Sequence, residues 1–152
     1  MKKILINKKA LHNYKPIEIF EAGLVLSGPE VKSIKDNRTD LKGAYVSVNL
    51  KDGPMIVNFY IAPYPPAKRE QAEYNPLRSR KLLLNKKEIN YLIGKQQERG
   101  LTIMPLKVYT KNTLIKVEIG ICRGKKKFDK REEMKKKDTE KDMRRALRNK
   151  NF

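Results

Sequence analysis

Acidic residues, cysteine and histidine are all scarce in this chain, and each scarcity removes a class of function. Asp and Glu number 17 against 36 Lys and Arg, a formal net charge of +19. A two-metal nuclease needs several converging carboxylates, and the nearest grouping is Glu18, Glu21, Glu30, Asp36 and Asp40. Glu18 and Glu21 lie on an expected strand at odd spacing, so they point to opposite faces. The single Cys122 excludes an internal disulfide framework and fits a reducing compartment. Together with the single His12 it cannot make a zinc site, which needs a cluster of such ligands. Cys122 closes an alternating apolar strand and His12 sits in a basic segment, so neither reads as a catalytic group. Long apolar runs are missing too. Nothing approaches the roughly 20 residues of a spanning helix. The run after Met1-Lys2-Lys3 ends at Ile4-Leu5-Ile6, short of the roughly 7–15 residues of a signal-peptide core. The expectation is a cytoplasmic binder with no enzymatic activity, no cofactor, no metal and no membrane association.

Positive charge is what the chain has in abundance. A small soluble domain carries a net charge of about 2–8, so +19 is self-repulsion retained for an anionic partner, nucleic acid first. A length of 152 residues suits one domain with a modest core. Residues 123–152 hold 14 basic and 6 acidic residues, and only Phe128, Met134, Met143, Ala146, Leu147 and Phe152 there could feed a core. The expected division is a basic arm over residues 1–15, a folded domain over 16–122 and a basic tail over 123–152. Glu132–Lys136, Glu133–Lys137 and Glu140–Arg144 have the favourable i,i+4 order and supply only about 1 kcal/mol together. Without a packed face the tail is expected to be disordered when the protein is alone.

Alternation of apolar residues gives the strands. Val46, Val48 and Leu50 share one face, and Met55, Val57, Phe59 and Ile61 share another across Asp52-Gly53, a hairpin signal. A second pair runs through Leu106 and Val108, turns near Lys111-Asn112, and returns through Ile115, Val117, Ile119 and Ile121. Pro105 must lie at an edge, a bulge or a strand start. Ile17, Ile19 and Leu24–Leu26 add another strand. Ser27-Gly28-Pro29-Glu30 and Asn85-Lys86-Lys87-Glu88 both fit capping boxes. The first opens a helix of two to three turns; the second opens one that Gly100 is placed to stop. Residues 63–80, with four prolines, read as a long surface loop. About five antiparallel strands with two helices suggest a small barrel or sandwich. Gly120 to Gly124 before Lys125-Lys126 resembles a phosphate loop but is one residue short and lacks the following Ser or Thr.

Several blocks resemble a known family in its own order. They are Asn7-Lys8-Lys9-Ala10-Leu11-His12-Asn13-Tyr14, Glu21 through Ser33, Asn75 through Asn85, and Gly124-Lys125-Lys126-Lys127-Phe128-Asp129-Lys130-Arg131. From about Ile6 to Arg131 the chain resembles the small protein B family, which binds transfer-messenger RNA. The resemblance implies a mainly β fold with peripheral α-helices, a small antiparallel oligonucleotide-binding-like barrel with a basic C-terminal tail. It implies delivery of the tRNA-like part of transfer-messenger RNA to stalled ribosomes for trans-translation. The partners would be that RNA, the small-subunit RNA and emptied mRNA path of the ribosome, and, through the RNA, the elongation factor that delivers aminoacyl-tRNA. Phe128 stands where some members have histidine: a stacking ring is kept, an imidazole hydrogen bond is not. The tail would become helical on the ribosome, with Phe128, Asp129, Lys130 and Arg131 near the decoding site.

Each candidate RNA contact has a plainer reading beside it. Glu30 either closes its capping box or accepts hydrogen bonds from base edges, and the resemblance favours the second. Asn85 is a helix cap or an RNA contact; Leu83 is core or an exposed ledge for an unstacked base. Lys32, Arg78, Arg80 and Lys81 rank lower, as members of a diffuse positive field. Asn7 and Lys8 belong to the matched N-terminal block, and His12 and Tyr14 either stack on bases or pack the arm. Arg123, Lys125 and Lys126 are placed for phosphate contact, since RNA affinity is largely phosphate-driven.

Overall fold

A computed structural model of the chain describes residues 2–66, 72–125 and 127–150. Along it run strand β1 (Lys2–Ile6), helix α1 (Lys8–Asn13), β2 (Tyr14–Leu24), α2 (Gly28–Lys35), β3 (Thr39–Asp40), β4 (Tyr45–Asn49), β5 (Gly53–Val57), β6 (Tyr60–Ile61), β7 (Arg80–Leu83), α3 (Lys86–Gln96), β8 (Leu101–Lys111), β9 (Leu114–Gly124) and α4 (Lys127–Lys150). The fold is mainly β with four helices among the described residues. Seven strands form one antiparallel sheet in the order β1-β8-β9-β2-β7-β5-β4, and β3 pairs separately with β6. The expected closed barrel is not what forms: no hydrogen-bonded ladder joins β1 to β4, so both are sheet edges.

The β8–β9 hairpin is the long spine. Val108, Ile115, Val117, Ile119 and Ile121 are buried on it, as the alternation predicts, with Ile103 beside them in the core, and Asn112 turns the chain at φ +57°. Pro105 sits at a bulge, where the register shifts before Lys107. The extra residue, Leu106, is buried outside the main core, against Gly120, where the Cys122 sulfur also lies. Burial there pushes the Cys122 thiol up to about 11, so it is inert packing. Asn7 holds the bulge: its backbone N–H donates to the Leu106 carbonyl (2.8 Å) and its Nδ2 to the Pro105 carbonyl (2.9 Å). Residues 2–15 are therefore part of the body and not an arm. The short Ile4-Leu5-Ile6 run belongs to an edge strand on β8, and α1 follows directly.

The first hairpin forms with a different face from the one expected. The three-residue loop 50–52 and Gly53 at φ +71° set Val46 opposite Ile56 and Val48 opposite Pro54. Residues directly opposite share a face, so Pro54 and Ile56 are buried while Met55 and Val57 face away. Leu50, in the loop, is 88% exposed. Asn58 at φ +60° then resets the alternation and returns Phe59 and Ile61 to the core. Both capping boxes are present. Helix α3 ends at Gln96, and Gly100, at φ +80°, turns the chain into β8 instead of stopping the helix. Ile17 and Ile19 lie on the expected strand, β2, and are 50% and 56% exposed. The main core lies on the other side of the sheet, under α2 and α3, around Ile34, Phe59, Leu82 and Leu92.

Candidate nucleic-acid interface

The residues expected to touch RNA divide into a buried network and an exposed face. Glu30 lies in the first. As the third residue of α2 it accepts from the Ser27 N–H (3.0 Å), closing the capping box. The same Oε1 takes Arg78 Nη2, while Oε2 takes Arg80 Nε (2.7 Å) and lies 3.0 Å from the Tyr74 hydroxyl. Its side chain has no exposed surface. An ionised carboxylate offers about four acceptor sites: the Ser27 amide, Arg78 and Arg80 take three, and the Tyr74 hydroxyl, also 3.0 Å from the Ile61 carbonyl, stands at the fourth. Burial raises its pKa, but the bonds from Arg78, the Ser27 amide and Arg80 outweigh that and hold it at about 2. The capping box expected at Glu30 is present, and a buried network extends it.

Arg80 is equally enclosed, at 0% exposure. Beyond Glu30 it donates to the carbonyls of Phe59 and Pro76 (3.0 Å for Pro76) and to the Tyr74 hydroxyl (2.8 Å). Four of its five N–H donors are used inside the fold, so the structure places it among buried groups and not on the exposed face. Burial, with the Glu30 carboxylate alongside, raises the Tyr74 pKa to about 12, so the phenol stays protonated. Asn7 is also enclosed: it is 5% exposed and caps α1 with Oδ1 while clasping the β8 bulge.

The exposed face is built where β7 meets β2. Gly23 pairs with Leu83, and a side chain on Gly23 would put its Cβ 3.2 Å from that of Leu83. The bare glycine lets Leu83 lie across β2, 56% exposed. Val25 (45%) and Leu114 (58%) flank it, over a groove of about 180 Å³ whose lining includes Leu24, Leu26, Val31 and Lys116. Lys81 precedes Leu83 on the same strand face, and Asn85 follows at the α3 cap, exposed, with Oδ1 accepting from the Glu88 N–H (2.8 Å). Glu21 shares the face of Gly23 by alternation, and Lys111 lies 3.3 Å from its carboxylate. Hydrogen bonding from Tyr109, then Lys111, lowers the Glu21 pKa. The arrangement suits an unstacked base on an apolar ledge with cations and a hydrogen-bonding amide at its rim. Reading the sequence missed Glu21, Gly23, Val25 and Leu114 here. For Glu21, Gly23 and Val25 the signal was period-2 alternation along β2 and one residue beyond it, usable only once β7 is known to be a strand; Leu114, at the start of β9, had none.

Other candidates are scattered around the body. Lys32 is exposed on α2, its Nζ 5.4 Å from the Tyr64 ring centre. Arg78 is 40% exposed despite its bond to Glu30. Lys8 and His12 are exposed on α1. Tyr14, half-buried, lines a groove of about 360 Å³ with Lys9, Asn13, Tyr45 and Thr102. Arg123 is exposed and pairs in register with Lys15. The Lys125 ammonium is almost enclosed, donating to the Leu11 carbonyl (2.8 Å) and the Glu133 carboxylate. It joins α1 to the tail. Hydrogen bonding to Lys125 lowers the Glu133 pKa.

The tail is one helix, α4, about 36 Å long at about 1.5 Å per residue. From Arg131 to Arg148 every side chain is exposed, Met134, Met143 and Leu147 included. Lys130 is half-buried. Lys126 lies outside the described residues, as do the side chains of Phe128 and Asp129. Among the described residues no group of His, Cys, Asp and Glu could hold a metal, and no helix is long and apolar enough to cross a membrane.

The sequence profile of the SmpB protein family matches residues 4–149. This chain belongs to the SmpB family. A relative named "SsrA-binding protein" from Geobacillus thermodenitrificans is 48% identical over 147 residues, 97% of this chain and 93% of its own. Another of that name, from Persephonella marina, is 48% identical over 143 residues, covering 94% of this chain and 92% of its own. A solved structure described as "tmRNA-SmpB: a journey to the center of the bacterial ribosome" superposes with a TM-score of 0.67 at 40% identity, over 82% of this chain and 86% of that one.

Proposed function

We propose that this SmpB chain binds the tRNA-like part of transfer-messenger RNA and delivers it to stalled ribosomes for trans-translation. Membership of the SmpB family over residues 4–149, with relatives named SsrA-binding protein, carries the reading. The Leu83 ledge supplies a physical means: Leu83, Val25 and Leu114 receive an unstacked base, Asn85 offers its amide, and Lys81 and Lys116 take phosphate. The curved antiparallel sheet then serves as an oligonucleotide-binding-type surface although it is not closed. The protein works by binding and not by catalysis, in the cytoplasm where ribosomes are. The elongation factor that delivers aminoacyl-tRNA joins through the RNA.

The tail carries the ribosomal half of the function. Helix α4 has no packed face, and its like-charge pairs offset its few favourable ones, so alone it is a marginal helix that frays to disorder. In the emptied mRNA path, surrounding phosphates neutralise it and it holds its helical form. Phe128, Asp129, Lys130 and Arg131 then lie near the decoding site, where the Phe128 ring stacks. Sequencing the RNA that co-purifies with the tagged chain tests the reading. Enrichment of transfer-messenger RNA over bulk tRNA and ribosomal RNA fragments is expected; equal recovery of all three identifies a general RNA binder instead.

A further inference from the structure

The buried network around Glu30 has a charge imbalance with a direction. One carboxylate faces two guanidinium groups, so the cluster holds a net positive charge. Arg80 is fully enclosed and Arg78 is 40% exposed, so the surplus is displayed by Arg78. The contacts also span the chain: Glu30 comes from α2, Arg80 from β7, and Tyr74 and Pro76 from the segment between. Tyr74 reaches the Ile61 carbonyl at 3.0 Å, and the Ile61 amide donates to Pro76 at 3.1 Å. The segment from residue 72 to 78 has no helix or strand of its own, so its course is fixed by these side-chain bonds together with the backbone bonds at Pro76 and Asn75.

We propose that Glu30 is a positioning residue for RNA binding. With Arg80 and Tyr74 it holds segment 72–78 against β6 and α2, so that the Arg78 guanidinium is presented outward in one orientation. Glu30 itself never meets the RNA. A guanidinium held in place loses less conformational entropy when it engages phosphate than one on a mobile loop. The proposal rests on RNA binding by the chain and adds to it how an internal acid controls that binding.

The sign of the effect separates this account from electrostatics alone. Glu30→Gln removes a negative charge from an already basic protein, so charge by itself predicts tighter RNA binding. Positioning predicts weaker binding, by about tenfold, equivalent to about 1.4 kcal/mol. Tyr74→Phe removes only a hydroxyl, preserves the fold, and is expected to weaken binding in the same direction by about threefold. The decisive readout is made on the full-length free protein without RNA. Hydrogen exchange at the Ile61 and Arg78 amides, both bonded within this segment, should accelerate in Glu30→Gln and Tyr74→Phe while core strands β8 and β9 stay protected. With a transcript of the tRNA-like part as probe, Glu30→Gln combined with Arg78→Ala should bind no worse than the weaker single variant. Unchanged exchange together with weakened binding would mean direct contact and overturn the proposal, as would equal or tighter binding by Glu30→Gln. Should the parent chain not bind the transcript at all, the RNA reading fails, and the exchange measurement still decides whether Glu30 orders the segment.

Discussion

Protonating Glu30 removes the anion that its two guanidinium partners require, so acid is a selective probe of this network. Its pKa is about 2 in the folded chain against an ordinary 4.5. A depressed carboxylate pKa contributes stability that is fully present above about 4.5 and is lost as pH falls toward 2. At about 1.36 kcal/mol per pKa unit, the loss comes to about 2 kcal/mol by pH 3 and about 3 kcal/mol by pH 2. For a chain of this size, where 1 kcal/mol moves Tm by about 2–4 °C, the pH 3 figure is a drop of about 4–8 °C. Other carboxylates also titrate in this range, so the measurement is the difference between the parent and Glu30→Gln. Thermal melts followed by circular dichroism from pH 7 to pH 3 should show the parent falling faster by that amount, its curve converging toward the variant's. Parallel profiles would refute the ion-pair argument, since a carboxylate that titrates in the folded state near its ordinary pKa carries no such linkage.

Three further outcomes follow from the division into buried and exposed residues. Asn7→Ala loses the α1 cap and leaves the Pro105 carbonyl without its donor; about 1–2 kcal/mol of stability should go in chemical denaturation, with RNA affinity of the folded protein unchanged in filter binding. Leu83→Ala reverses the pattern: affinity for the tRNA-like transcript should fall by about 1–3 kcal/mol, while the melt stays within about 0.5 kcal/mol of the parent, as for other surface substitutions. If about six phosphates are neutralised, log affinity should fall against log salt with a slope of about −4 to −5, and a nearly flat plot would assign the net charge to something other than RNA.

What could be read from the sequence was local. The β8–β9 hairpin was legible because its apolar alternation is long and Asn112 marks the turn, and the two helix starts because a capping box lies within four consecutive residues. Pro105 announced its bulge because a residue without an N–H has few places in a ladder. The β4–β5 hairpin was found, but its return face was misassigned, because a three-residue loop and a left-handed Asn58 each shift the alternation by one. Strand β7 was hidden at the end of a proline-rich stretch, and with it the pairing that exposes Leu83. Glu30 and Arg80 are fifty residues apart, and no local pattern announces that they meet. Both were therefore assigned to the surface, where charged residues ordinarily lie. Closure of the barrel is also non-local, depending on whether β1 reaches β4, and alternation within strands says nothing about it.

The central claim is that this chain brings transfer-messenger RNA to stalled ribosomes, with the body holding the RNA and the tail holding the ribosome. Tagging of an incomplete protein in a purified translation system, on ribosomes stalled without a stop codon, tests it most directly. The full chain should support tagging, and a chain lacking residues 129–152 should not, although it still binds the RNA with undiminished affinity. Tagging that proceeds equally well without the chain, or with the truncated chain, would contradict the account.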